Sequence, residues 1–316
     1  MQQSEALAIR DLPAMPGERS HRGFDPLPPL GVPAVKPVAH FQQRPIVPAL
    51  GVEISGIDLR QPSPGAQAEL RGVLAERKVL VFRDQDLTPH EYADFLRIFG
   101  TPVKEDMVVD PDHPPEVGAI HTRPSEQQQI NFWHMDHSFR PLPTRVLSLY
   151  AKLLPPLGGD TLFASLSAAY DALSDEMKEQ IDGLHCYHRV TATQNTKRRH
   201  TPEEAAAMEK APPIVHPLVP RDPGNGRRYL FVNVPIYCRS IVEMQTPEGD
   251  ALLRKLYRHV QRPEFQFRLN WRVNTVVVWE NNHTLHYPVS DYFPHERKLW
   301  RGVIQATEAD RPMAAA

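Results

Sequence analysis

Short apolar runs alternate along the chain with polar, proline-broken connections, and the period of each run sets what it forms. Val47 to Leu59, VPALGVEISGIDL, runs apolar around Gly51 and Gly56, as a strand with a bend does. Ala66 to Ala75 reads as an amphipathic helix, and Val79 to Phe82 as a compact strand. LTPHEYADFLRIFG then predicts a helix with Thr88 as N-cap, Pro89 at the first helical position and Gly100 as the stop. Asp106 to Gln129 is a proline- and charge-rich loop region. Strand patterns resume at Ile130–Phe139 and Thr144–Ala151.

LPPLGGDTLFASL supplies a turn and a short strand, and Ala168–Ile181 predicts a helix. Residues 189–214 are polar, helix-poor and basic, a length that suits a lid or an excursion. HPLVPRDPGNGRRYLFVN reads as a hairpin with PGNG at its tip. Pro247–Gln261 follows as a helix, RLNWRVNTVVVWEN as strand–turn–strand, and LWRGVIQAT as a last strand. The expected fold is mostly β with flanking helices, a closed or double-sheet architecture such as a jelly roll.

Composition adjusts this picture in few places. Of 33 prolines, many fall in the first 48 residues, so residues 1–38 are expected to form an extended arm and residues 39–316 a single domain. A net charge of −2 gives no field for nucleic acid or anionic lipid. Two cysteines without a CxxC pair, no signal-peptide pattern and no long apolar run lead us to expect a cytoplasmic protein that does not engage membrane.

The candidate chemistry begins at NFWHMDHSF, where His134 and Asp136 are two apart and would share a strand face. With fifteen histidines, roughly one His-x-Asp is expected by chance, so the pair needs support from elsewhere. A histidine from another strand would complete a 2-His-1-carboxylate set with open metal positions. His286, after the run TVVVW, is the best placed; spacing alone leaves His283, His137 and His295 open. On the last strand Arg297, Leu299, Arg301 and Val303 share parity, which sets two guanidinium groups about 13 Å apart on one face. Inward-facing arginines are costly unless each meets an anion.

The ordered segments GVEISGIDL, VLVFRDQDLTPHEYADFLRIFG, WHMDHSF, GGDTLF, HPLVPRDPGNGRRYLFVN, WENNHTLHYPVSDY and RKLWR resemble the taurine/2-oxoglutarate dioxygenase (TauD/TfdA-like) family of Fe(II)-dependent oxygenases. The resemblance runs from about Val47 to the end and implies a double-stranded β-helix, cupin-like core. It implies His134, Asp136 and His286 as iron ligands, with Arg297 and Thr161 holding the far carboxylate of 2-oxoglutarate. Arg301 matches the arginine that holds a substrate sulfonate or carboxylate in members acting on small anions. The implied reaction uses Fe(II), 2-oxoglutarate and O2 and releases succinate and CO2, and the carboxylate ligand favours hydroxylation over halogenation. The family is often dimeric or tetrameric, which points to a homo-oligomer.

Departures from the pattern bear on the substrate. In taurine-cleaving members a histidine in the loop after the FG dipeptide helps hold the sulfonate. Here that loop is TPVKEDM, with Lys104 as its only cation, which counts against taurine itself. Tyr237 and Cys238 also depart from the small polar residues that the resemblance would imply for a taurine enzyme. Phe132, Trp133, Tyr287 and Phe293 could shape an apolar pocket, so the expected substrate is a larger organic anion, bound by Arg301, Lys104, Trp133 and Tyr287. His137 would line its entrance. Two rival readings are a zinc hydrolase using the same ligands and a non-catalytic β-barrel binding module.

Overall fold

The computed structural model describes residues 27–28, 30, 37–104, 110–128, 130–190 and 201–314. Most of the 1–38 arm, and residues 191–200 of the 189–214 segment, lie outside these. The chain opens with β1 (Gln42–Pro45), β2 (Val52–Ser55), α1 (Pro64–Arg77), β3 (Val79–Phe82) and α2 (Pro89–Leu96). Then come β4 (Gly118–Thr122), β5 (Val146–Leu153), β6 (Thr161–Ser165), α3 (Leu166–Asp171), α4 (Asp175–Ile181) and β7 (His185–His188). The remainder is α5 (Pro202–Lys210), β8 (Ile214–Pro217), β9 (Pro220–Arg221), β10 (Cys238–Ile241), α6 (Pro247–Val260), β11 (Gln266–Leu269), β12 (Val276–Glu280), β13 (Thr284–Pro288), β14 (Arg297–Ile304) and β15 (Met313–Ala314).

A seven-stranded sheet, in the order β1-β2-β3-β12-β5-β14-β4, forms the larger layer. All its pairings are antiparallel except β2–β3. Alternation along β14 shows how both faces are used. Leu299 and Val303 join Leu147, Val277, Phe163 and Phe267 in a core shared with the three-stranded sheet β11-β6-β13. Trp300 and Ile304 turn instead to the cluster under α1 and α2. Central strands buried on both faces need no polar alternation, which is why VLVF and VVVWE are buried at every position. Each such aliphatic side chain stabilises the fold by roughly 1.5–3 kcal/mol.

Helix α2 begins with a capping box between Thr88 and Glu91. It lies so close to β14 that a Cβ on Gly302 would meet Leu96 Cδ1 at 2.1 Å. A third apolar cluster packs α3 and α6 against β7, β10 and the far side of β13.

Several expectations are corrected. Ala168–Ile181 is two helices, broken where Ser174 caps the second. The 189–214 segment, expected to be helix-poor, contains α5, started by a capping box of Thr201 and Glu204. The hairpin keeps its tip, with an Arg221–Arg228 bridge, but YLFVN forms no strand. Strand β4 was hidden among the prolines of the 106–129 loop. Leu27 and Leu30 of the arm pack against the third cluster. Among the described residues no helix is long and apolar enough to cross a membrane.

Candidate metal centre

Ile130–Phe139, expected as a strand, contains no strand. His134 alone pairs, in an isolated bridge to His286 with N–H···O distances of 2.9 and 2.8 Å. Residues 136–139 form a turn in which His137 takes φ of 57°, a left-handed conformation that ends extended backbone. Two buried asparagines satisfy the turn. Asn233 accepts from Met135 N–H (3.1 Å) and donates to Met135 C=O (2.9 Å). Asn281 accepts from Asp136 N–H (3.1 Å) and donates to Asp136 C=O (2.9 Å). Sequence reasoning missed both, although each is a polar residue closing an apolar run, LFVN and VVVWEN.

The structure brings His134, Asp136 and His286 together, with one donor atom of each within 4.8 Å of the others. Among the described residues no other set of three such side chains does so. His134 Nε2 lies 3.4 Å and His286 Nε2 4.0 Å from Asp136 Oδ1, and the two imidazole rings are 4.1 Å apart. His134 Nδ1 lies 3.0 Å from the Phe132 carbonyl; donation there leaves the Nε2 lone pair facing the centre. Burial, with His134 adjacent, pushes His286 down to about 3, so it stays neutral as a ligand must. Burial opposes ionisation of Asp136, but His134, Arg301 and His286 outweigh it and hold the carboxyl well below the usual range. Two imidazoles and one carboxylate fit a divalent iron.

Next to this centre lies a buried cation. Arg297 is 3% exposed and makes no salt bridge among the described residues, and its Nε has no hydrogen-bond partner. Burial pulls its pKa down. Its guanidinium sits over Trp271 (5.9 Å) and Tyr292 (5.8 Å). The Trp271 indole donates to Thr161 Oγ1 at 3.0 Å, so Thr161 and Arg297 share one neighbourhood. The GGDT turn makes room for them. Gly158 and Gly159 have φ of +82° and +70°, and a Cβ on Gly159 would stand 3.1 Å from Arg297 Cδ. Thr161 pairs with Pro288 and Phe163 with His286, so this cradle lies one diagonal step from the metal centre.

Arg301 extends from the same face of β14 and donates to Asp136 Oδ2 at 2.7 Å. It lines a cavity of about 260 Å³ with Lys104, His137, Arg140, Leu142 and Thr144. Lys104 and His137 are therefore placed together with Arg301. Trp133 and Tyr287 are not. They pack on each other at 5.7 Å on the side of the third cluster, because strand parity turns Tyr287 away from His286. Phe293 is 57% exposed. Of the other histidines, His295 is exposed. His283 belongs to a separate buried network, 3.1 Å from Asp222, which also accepts from Lys78 at 3.0 Å.

Residues 42–303 match the family model described as taurine catabolism dioxygenase TauD, TfdA family. An alpha-ketoglutarate-dependent 2,4-dichlorophenoxyacetate dioxygenase of Cupriavidus pinatubonensis is 30% identical over 77% of this chain and 90% of its own length. An alpha-ketoglutarate-dependent sulfonate dioxygenase of Saccharomyces cerevisiae is 30% identical over 87% of this chain and 69% of its own. Among solved structures, AAD-2 in complex with Mn(II) and N-oxalylglycine superposes with a TM-score of 0.71 at 30% identity. That superposition covers 85% of this chain and 99% of AAD-2.

Proposed function

Because the chain belongs to the taurine catabolism dioxygenase TauD, TfdA family, we propose that it is an Fe(II)- and 2-oxoglutarate-dependent dioxygenase hydroxylating a small to medium organic anion. The observation that carries this reading is Arg297: a buried guanidinium with no salt bridge among the described residues, one diagonal step from two imidazoles and a carboxylate. A zinc hydrolase would have no use for it. The pair of facing sheets is read as a double-stranded β-helix. Strands from the middle and last thirds interleave in the larger sheet beside a block from the first third, which supports one domain over 39–316. The same reading includes a homo-oligomer, which light scattering tests.

In this reading His134, Asp136 and His286 hold the iron, while Arg297 and Thr161 receive the far carboxylate of 2-oxoglutarate. Iron with 2-oxoglutarate and O2 supplies the oxidation, with succinate and CO2 as co-products. The protein fixes geometry and excludes water. Trp271 orients the Thr161 hydroxyl, and its ring with that of Tyr292 keeps Arg297 dry. Arg301 faces the cavity where a substrate anion would enter, with Lys104 and His137 on its wall. The relatives named above act on an aryloxyacetate and on a sulfonate, which supports a sulfonate, sulfate ester, aryloxyalkanoate or amino-acid-like carboxylate here.

Anaerobic addition of Fe(II) and 2-oxoglutarate should give a weak visible charge-transfer band, and no band would sink the cofactor assignment. Succinate release should then be screened across those four anion classes. A response confined to uncharged compounds would remove Arg301 from substrate binding.

A further inference from the structure

The segment carrying two of the three metal-ligand candidates is a turn, so something other than a sheet must fix its register. In an antiparallel bridge the backbone N–H and C=O of residue i and of residue i+2 face the same neighbour. His134 uses both groups on His286, so Asp136 presents its own pair to the same side, where Thr284 would be the next rung. Thr284 does not take that place. The single 3-10 turn Asn281–His283 intervenes, and the Asn281 side-chain amide closes both bonds to Asp136 instead. Its Nδ2 also donates to Thr144 C=O at 2.8 Å, and its backbone N–H donates to Arg145 C=O at 2.8 Å, which fixes the amide at both ends. On the opposite side, the Asn233 amide does the same for Met135 and adds a bond to Ser138 Oγ at 2.7 Å.

We infer that Asn281 is a positioning residue for the metal centre, supplying the missing rung that registers Asp136 against His286. Asn233 braces the same turn from behind. Asn281 and His286 lie five residues apart on one connection, so a single short piece of chain sets both the distal histidine and the place of the carboxylate. The carboxylate is then divided between two tasks. Oδ1 faces the histidines, at 3.4 and 4.0 Å, while Oδ2 accepts from Arg301 at 2.7 Å. A backbone free to drift at Asp136 would lose this division, although the His134–His286 bridge would persist.

This inference rests on the metal assignment above, and the test separates the two. Mn(II) affinity of the purified, metal-stripped protein is measured by titration with paramagnetic-resonance detection of free Mn(II). The comparison set is Asn281→Ala, Asn233→Ala and Leu96→Ala, the last a core truncation under α2, on the face of β14 opposite Arg301. Asn281→Ala should bind Mn(II) about tenfold or more weakly, the usual scale for groups that orient ligands, whereas Leu96→Ala should lose thermal stability with affinity unchanged. If the unaltered protein binds no Mn(II), the metal reading fails. If it binds and Asn281→Ala matches Leu96→Ala in affinity, the positioning role fails. Should Asn281→Ala not fold, amide hydrogen exchange on the unaltered metal-free protein decides. The Met135 and Asp136 N–H groups should be protected like that of His286, and exchange at open-loop rates overturns the inference.

Discussion

Replacing Arg297 with methionine should make the metal-free protein more stable while abolishing its response to 2-oxoglutarate. The guanidinium is 3% exposed, has no salt bridge among the described residues and leaves Nε without a partner, so its desolvation outweighs what the two aromatic faces, the Tyr292 hydroxyl and the more distant Asp160 return. Exchanging a buried ion for an apolar side chain of similar length is neutral or stabilising by about 1–4 kcal/mol. At this chain length that raises Tm by roughly 1.5–6 °C. The co-substrate should respond in the opposite direction. A ligand at a hundred times its Kd stabilises by about 2.7 kcal/mol, and removing one partner of a buried charge pair costs about 2–5 kcal/mol, enough to erase that shift. Calorimetric scans of both proteins, metal-stripped and again with Mn(II) and saturating 2-oxoglutarate, measure the two effects. A lower Tm for metal-free Arg297→Met, or a preserved 2-oxoglutarate shift, would refute the reasoning.

Burial, reinforced by a nearby cation or histidine, holds both His283 and His216 down to about 4. Between pH 6.5 and 4 the unfolded chain takes up protons that these histidines refuse in the fold. Stability present above pH 6.5 should therefore fall by about 3 kcal/mol per histidine as pH drops to 4, and urea denaturation at stepped pH measures it; a flat profile contradicts the burial. Lys78→Met breaks the buried contact to Asp222 and should cost about 3 kcal/mol at pH 8. Because Lys78 also depresses His283, that cost should shrink toward pH 5, and a pH-independent loss would dissociate the two. Gly302→Ala drives a methyl into Leu96 and should destabilise by about 1–3 kcal/mol in thermal melts, with Mn(II) affinity unaltered.

The parts of the fold legible in the sequence were those where one local rule dominates. Thr88 and Pro89 announce α2, and VLVF and TVVVW read as strands because both of their faces are buried. Strand β4 was not legible: its stability comes from pairing with β14, some 180 residues later, and not from its own short pattern. The turn at His134–Phe139 was misread for a related reason. Its alternation resembles a strand, but the left-handed His137 and the two asparagine amides that hold it open are set by distant chain. Parity placed Arg297 and Arg301 on one inner face. The same parity, applied to Tyr287 beside His286, would have removed Tyr287 from the cavity.

Strand β14 works as a ruler. Arg297 and Arg301 are graduations on one face, and the backbone rise, not side-chain flexibility, fixes the interval between them. Sliding the second arginine by one residue would turn it outward into the helix-covered face, so the interval can change only in steps of two residues, about 7 Å each. If Arg297 and Arg301 hold the two anions as proposed, the spacing between co-substrate and substrate is thus quantised. New substrates can be reached by altering what surrounds Arg301, on loops such as the one bearing Lys104, while the graduation itself stays fixed.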